Sequence, residues 1–133
     1  MMTVGFIGLG NVGAKLAGSL LRNDVSLMVR DLDEGLAKPF LDAGAQWADS
    51  PAAMAQAADV IITCLPSPAA CAEVMEGEGG LLEALGPGKI WIEMSTTDYR
   101  EVQRLGQKVK DLGAQPADSV SYTHLRAHET DSY

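Results

Sequence analysis

Two hydrophobic rhythms alternate along the chain. Short apolar runs at 3–7, 25–30, 45–48, 59–65, 89–94 and 114–118 read as buried strands. Between them, stretches with three-to-four-residue apolar spacing predict helices at 14–21, from Asp33 to Ala43, and at 52–58, 67–75 and 98–112, with a short helical turn at 81–85. Val60-Ile61-Ile62-Thr63-Cys64-Leu65 is the strongest run, and its unbroken apolar character suits a central strand covered on both faces. Helix starts carry their own chemistry. Asp33 is placed to cap the second helix, and Ser50-Pro51 and Ser67-Pro68 each set a capping hydroxyl before a proline at the first helical position. Asp98 with Glu101 three residues on reads as a capping box. Gly44 and Gly113 stand where helices end. No repeat of fixed period is present. Strictly alternating strands and helices predict an α/β fold, a Rossmann-type doubly wound parallel sheet.

Composition narrows the function classes. At 133 residues the chain is one domain's worth, and its 47% apolar content is that of a globular protein. A net charge of −8 with no basic cluster argues against a nucleic-acid partner. No 18-residue apolar run predicts a membrane span. The N-terminus enters a strand directly, without a signal peptide, so a cytoplasmic protein is expected. Cys64 and Cys71 read as quiet core or flank residues of a reducing compartment.

The chemistry gathers where strands end. Gly8-Leu9-Gly10-Asn11-Val12-Gly13 follows the first strand and opens the first helix, the context that makes a glycine-rich turn specific for a dinucleotide. Gly8 permits the tight turn, Gly10 lets a pyrophosphate approach the backbone, and Gly13 lets the helix pack close to the sheet. The helix N-terminus then offers free N–H groups and a positive dipole end to phosphate. Asp31 ends the second strand eighteen residues after Gly13, where a carboxylate bonds the ribose hydroxyls of NAD and repels the 2′-phosphate of NADP. Arg30 is the counter-signal, since an arginine there can take that phosphate; strand alternation points it away from Asp31. Asp33 is a rival carboxylate better suited to capping. NAD is favoured, with NADP as the alternative. Two more strand-end segments face the same edge, Leu65-Pro66-Ser67 and Ser95-Thr96-Thr97. Ser67 reads equally as a helix cap and a ligand contact. Ser95 and Thr96 can donate to a phosphate, a ribose or a nicotinamide carboxamide.

Four motifs in order resemble the β-hydroxyacid dehydrogenases, the family of 3-hydroxyisobutyrate dehydrogenase and tartronate semialdehyde reductase. They are Gly5-Phe6-Ile7-Gly8-Leu9-Gly10-Asn11-Val12-Gly13, Ala58-Asp59-Val60-Ile61-Ile62-Thr63-Cys64-Leu65-Pro66, Gly79-Gly80-Leu81-Leu82, and Ile92-Glu93-Met94-Ser95-Thr96-Thr97. The resemblance covers residues 3 to 119. It implies hydride transfer between NAD(P) and a small 3-hydroxy acid or its aldehyde, with Thr96 and the Leu65-Pro66 loop along the cofactor. It also implies a homo-oligomeric intact enzyme. In the family a substrate-binding Ser-Gly-Gly follows the sixth strand, and a catalytic lysine lies in an all-helical second domain. Here Asp118-Ser119 is followed by no such glycines, and Lys89, Lys108 and Lys110 do not match the lysine motif. The expected domain therefore spans 1–119, truncated near its sixth strand and lacking both the second domain and a catalytic residue. An imine reductase preferring NADPH and a non-catalytic dinucleotide-binding module are the alternative readings.

Residues 120–133 resemble something else. Val120 to Thr130 coincide with a translated reading frame of a sequencing-library transposon adapter, and Asp131 to Tyr133 fit its index bases. They are expected to be an artefactual tail. The His124 and His128 pair within it mimics a metal motif without a supporting third ligand, so no metal site is expected.

Overall fold

The computed structural model describes residues 2–94 and 98–118. In chain order the elements are β1 (Thr3–Ile7), α1 (Asn11–Arg22), β2 (Ser26–Arg30), α2 (Glu34–Asp42), β3 (Gln46–Trp47), α3 (Pro51–Ala57), β4 (Val60–Thr63), α4 (Pro68–Glu76), a 3₁₀ turn (Leu81–Glu83), β5 (Ile90–Glu93), α5 (Tyr99–Asp111) and β6 (Gln115–Asp118). The strands form one sheet in the order β3-β2-β1-β4-β5-β6, and every pairing is parallel. The direction of winding reverses between β1 and β4, the switch point beside which open α/β sheets bind ligands.

Helices cover both faces. Ala17 of α1 and Ala37 and Phe40 of α2 pack with Phe6 and Val29 on one side. Met54 of α3, Met75 of α4 and Leu105 and Val109 of α5 pack with Ile61 and Trp91 on the other. Ile61 is fully buried against the second layer while Val60 and Ile62 pack against the first, which is why β4 needs apolar residues at consecutive positions.

The caps follow local chemistry. Ser50 Oγ accepts from Ala53 N (3.0 Å), Ser67 Oγ from Ala70 N (3.1 Å) and Asp33 Oδ1 from Gly35 N (3.0 Å). Two expectations are corrected. The third strand is only two residues long: Gln46 and Trp47 pair with Met28 and Val29, and the ladder ends where Ala48 N donates to Val29 O (3.2 Å). The capping box at α5 is half formed. Asp98 accepts from Arg100 N (2.9 Å), but Glu101 is drawn to Arg104, whose full charge outcompetes a backbone N–H.

Arg104 also bridges to Glu76 (2.6 Å), which pairs with Lys108 as well, so a small ion network ties α4 to α5. Hydrogen bonds from Arg104 and then Lys108 hold the Glu76 carboxyl down to about 2. A carboxyl lowered on folding stabilises above its unfolded pKa, and that contribution is lost as pH falls through the folded value. Glu76→Gln is therefore expected to lower Tm slightly at pH 7. The difference should close as pH drops from about 4.5 towards 2, and should shrink in 1 M salt. Thermal melts of both proteins across that range check this.

Candidate functional site

A cavity of about 650 Å³ opens at the carboxyl ends of β1, β2 and β4. Its floor is the turn from β1 into α1, where each glycine meets a different constraint. Gly8 has φ 104°, and a Cβ there would overlap the Cys64 carbonyl. At Gly13 a Cβ would overlap the Gly8 carbonyl and come within 3.3 Å of Phe6 Cε1, so its absence sets how closely α1 lies on β1. At Gly10 a Cβ would meet nothing within 4 Å, because that position faces the open cavity.

The N-terminus of α1 is left open as well. No side chain caps Gly10 and no acid sits in the first turn, whereas Asp33, Ser50, Ser67 and Asp98 cap the other four helices. First-turn N–H groups without a capping side chain among the described residues, beside a Cβ-free backbone, suit an anion such as a pyrophosphate.

Asp31 stands at the end of β2 on the cavity wall. Its Oδ2 accepts from Leu9 N (2.7 Å) and its Oδ1 from Asp33 N (2.8 Å). A carboxylate has about four lone-pair sites, so two remain for ribose hydroxyls. Arg30 also borders the cavity, but it is tethered elsewhere. Its Nη1 donates to Ala48 O (2.8 Å), and its guanidinium lies 5.4 Å from the centre of the Trp47 ring.

The remaining expected site residues divide. Asn11, Val12, Leu65 and Pro66 border the cavity. Leu9 packs its side chain into the core at 2% exposure and offers the turn only its backbone. The Ser67 hydroxyl is taken up as the α4 cap. Ser95 and Thr96 lie outside the described residues, as do His124, His128 and the whole of 120–133. Lys89 donates to the carbonyls of Ala58 (2.7 Å) and Gln56 (3.2 Å), at the amino end of β5 and away from the cavity. Among the described residues no cluster of His, Cys, Asp or Glu could hold a metal, and no helix is long and apolar enough to cross a membrane.

Sequence reasoning missed several residues. Leu32, Leu36, Glu73, Val74 and Met94 join the cavity wall. The spacing of Ala70, Glu73 and Val74, one stripe of α4, was the available signal. Behind the wall lies an unforeseen buried carboxylate. Glu93 is 1% exposed and its Oε2 accepts from Thr63 Oγ1 (2.8 Å) and Cys71 Sγ (2.9 Å), while Trp91 Nε1 donates to Thr63 Oγ1 (3.0 Å). Burial first and Glu93 second raise the pKa of both Cys64 and Cys71, which keeps them as thiols.

The comparisons with known proteins agree with this geometry. The sequence profile of the NAD binding domain of 6-phosphogluconate dehydrogenase matches residues 3–128. The mitochondrial 3-hydroxyisobutyrate dehydrogenase of Mus musculus is 40% identical over 111 residues, which is 84% of this chain and 33% of that protein. Psf3, solved in complex with NADP+ and 2-OPP, is 29% identical with a TM-score of 0.80, over 85% of this chain and 40% of its own. The imine reductase of Myxococcus stipitatus, solved with NADP+, shares the fold at 17% identity and a TM-score of 0.79, over 87% of this chain and 39% of its own. The chain thus spans about a third of the length of the curated relatives it matches. With its 3-2-1-4-5-6 sheet, its glycine turn and its open α1 N-terminus, the chain belongs to the family of the NAD-binding domain of 6-phosphogluconate dehydrogenase.

Proposed function

We propose that this domain seats NAD for a dehydrogenase that moves hydride between the nicotinamide and a small 3-hydroxy acid or its aldehyde. The observation that carries the cofactor choice is Asp31, fixed by two backbone N–H groups at the end of β2 with lone pairs to spare. Charge and position together favour a free ribose diol and oppose a 2′-phosphate. The tether of Arg30 to Ala48 and Trp47 supports the same choice, since the one nearby guanidinium among the described residues is already engaged. The substrate class rests on the likeness to 3-hydroxyisobutyrate dehydrogenase. A bound nicotinamide supplies the hydride chemistry, and the residues here bind and orient it. Proton transfer and substrate binding belong, in this reading, to parts of the enzyme outside residues 1–119. The chain alone is then a cofactor seat that turns over no hydroxy acid.

Binding constants for NADH and NADPH test the proposal. The unaltered chain should prefer NADH by about tenfold or more, as expected for a like-charge penalty of a few kcal/mol partly relieved by solvent. Asp31→Asn keeps one acceptor, for Leu9 N–H, gives up the one for Asp33 N–H and removes the charge, so it should narrow that preference mainly by improving NADPH relative to NADH. NADPH bound as tightly as NADH by the unaltered chain would overturn the assignment and favour the imine reductase reading.

A further inference from the structure

We infer that Glu73 reads the base of the bound dinucleotide, accepting a hydrogen bond from the exocyclic amine of adenine. The inference rests on the proposed dinucleotide site and names a specificity residue within it. Four side chains on the cavity wall carry ionic or amide groups: Asn11, Arg30, Asp31 and Glu73. Asn11 is the first residue of α1, at the phosphate end. Arg30 is tethered to Ala48, and Asp31 is committed to the turn and the ribose. Glu73 is left without a role, and no described residue hydrogen-bonds or ion-pairs with its carboxylate.

Its surroundings suit a flat heterocycle. Leu32 is 98% exposed and Leu36 is 41% exposed, both on the cavity wall just beyond Asp31. Large apolar side chains held in water beside a cavity gain by covering a ring face. Ala70 and Val74 lie on the same stripe of α4 as Glu73, so that wall is apolar apart from one acceptor. Gly77 gives the carboxylate room, since a Cβ there would sit 2.5 Å from Glu73 Oε1. A base stepping outward from the ribose at Asp31 enters this space with its ring on the leucines. An ionised carboxylate accepts and does not donate, so it favours an amino group over a carbonyl at the same ring position.

The experiment titrates the full chain with NADH and with reduced nicotinamide hypoxanthine dinucleotide, in which a carbonyl oxygen replaces the amine. The unaltered chain should bind NADH on the order of tenfold more tightly, the scale of one charge-assisted hydrogen bond in a partly wet site. Glu73→Ala should bring the two ligands to similar affinity. Glu73→Gln, whose amide can turn oxygen or nitrogen to the ring, should also bind both, by improving on the hypoxanthine form. Equal affinities in the unaltered chain, or a preference that survives Glu73→Ala, would overturn the inference and leave the dinucleotide site standing. Binding of neither ligand would overturn the dinucleotide reading itself.

Discussion

Gly10→Val is expected to leave the domain folded while weakening NADH binding by a hundredfold or more. Gly10 sits at φ −70° and ψ −168°, extended backbone that valine adopts readily, and a Cβ there touches nothing within 4 Å. The fold therefore has no reason to resist the change. The branched side chain would instead project into the cavity above the open N-terminus of α1, where the pyrophosphate must approach. Each hydrogen bond to a charged group is worth about 1.5–3 kcal/mol, so displacing the phosphate from two N–H groups suffices for a loss of that size. Isothermal titration gives the affinity and a thermal melt gives the fold. Unchanged affinity in a folded variant would refute the phosphate cradle.

Gly13→Ala, three residues on, should do the opposite. Its added methyl meets the Gly8 carbonyl and the Phe6 ring, so α1 has to move off β1. Phe6 is fully buried and Ala17, one turn along α1, is fully buried too, which leaves little slack at that contact. Overpacking a tight helix–strand seam costs about 1–3 kcal/mol, and the carbonyl overlap places this site at the upper end. Urea unfolding should show a lower midpoint at unchanged slope. Affinity for NADH should fall only as far as the displaced turn carries Gly10 with it. A variant as stable as the parent would mean that α1 and β1 are packed less closely than the geometry requires.

These two glycines show what the sequence could and could not disclose. The open backbone at Gly10 and the tight helix–strand seam at Gly13 were legible because the motif, the preceding apolar strand and the following helix are contiguous. The caps at Asp33, Ser50 and Ser67 were legible for the same reason, since a cap binds an N–H two or three residues away. Long-range duties were not. Asp31 was readable as a carboxylate at the end of β2, but not as the acceptor for Leu9 N–H, twenty-two residues earlier. Arg30 reads as a counter-signal pointing away from Asp31; both border the cavity, and only the placement of Trp47 and Ala48 shows that Arg30 is tethered. The run 89–94 reads as a buried strand, but nothing local says what becomes of the Glu93 carboxylate. Its burial follows from a register that sets it beside Thr63, which pattern alone does not fix. Leu32 from the turn before α2, Leu36 from α2 and Glu73 from α4 lie on opposite layers of the sheet and share a cavity only once the crevice is formed.

The triad of Thr63, Cys71 and Glu93 sets a rule for how this domain can drift over generations. Each of these side chains answers a polar atom on another, with β4, α4 and β5 each contributing one. An apolar replacement at Glu93 alone strands the Thr63 hydroxyl proton, and one at Thr63 alone strands the Trp91 indole N–H. Either costs on the order of 1–3 kcal/mol, and exchanging Thr63, Cys71 and Glu93 together for apolar residues approaches neutral only if Trp91, whose N–H would otherwise be stranded, changes with them. The four positions, Trp91 included, are thus energetically coupled: a change from the polar set to an apolar one passes through intermediates expected to fold less well than either end.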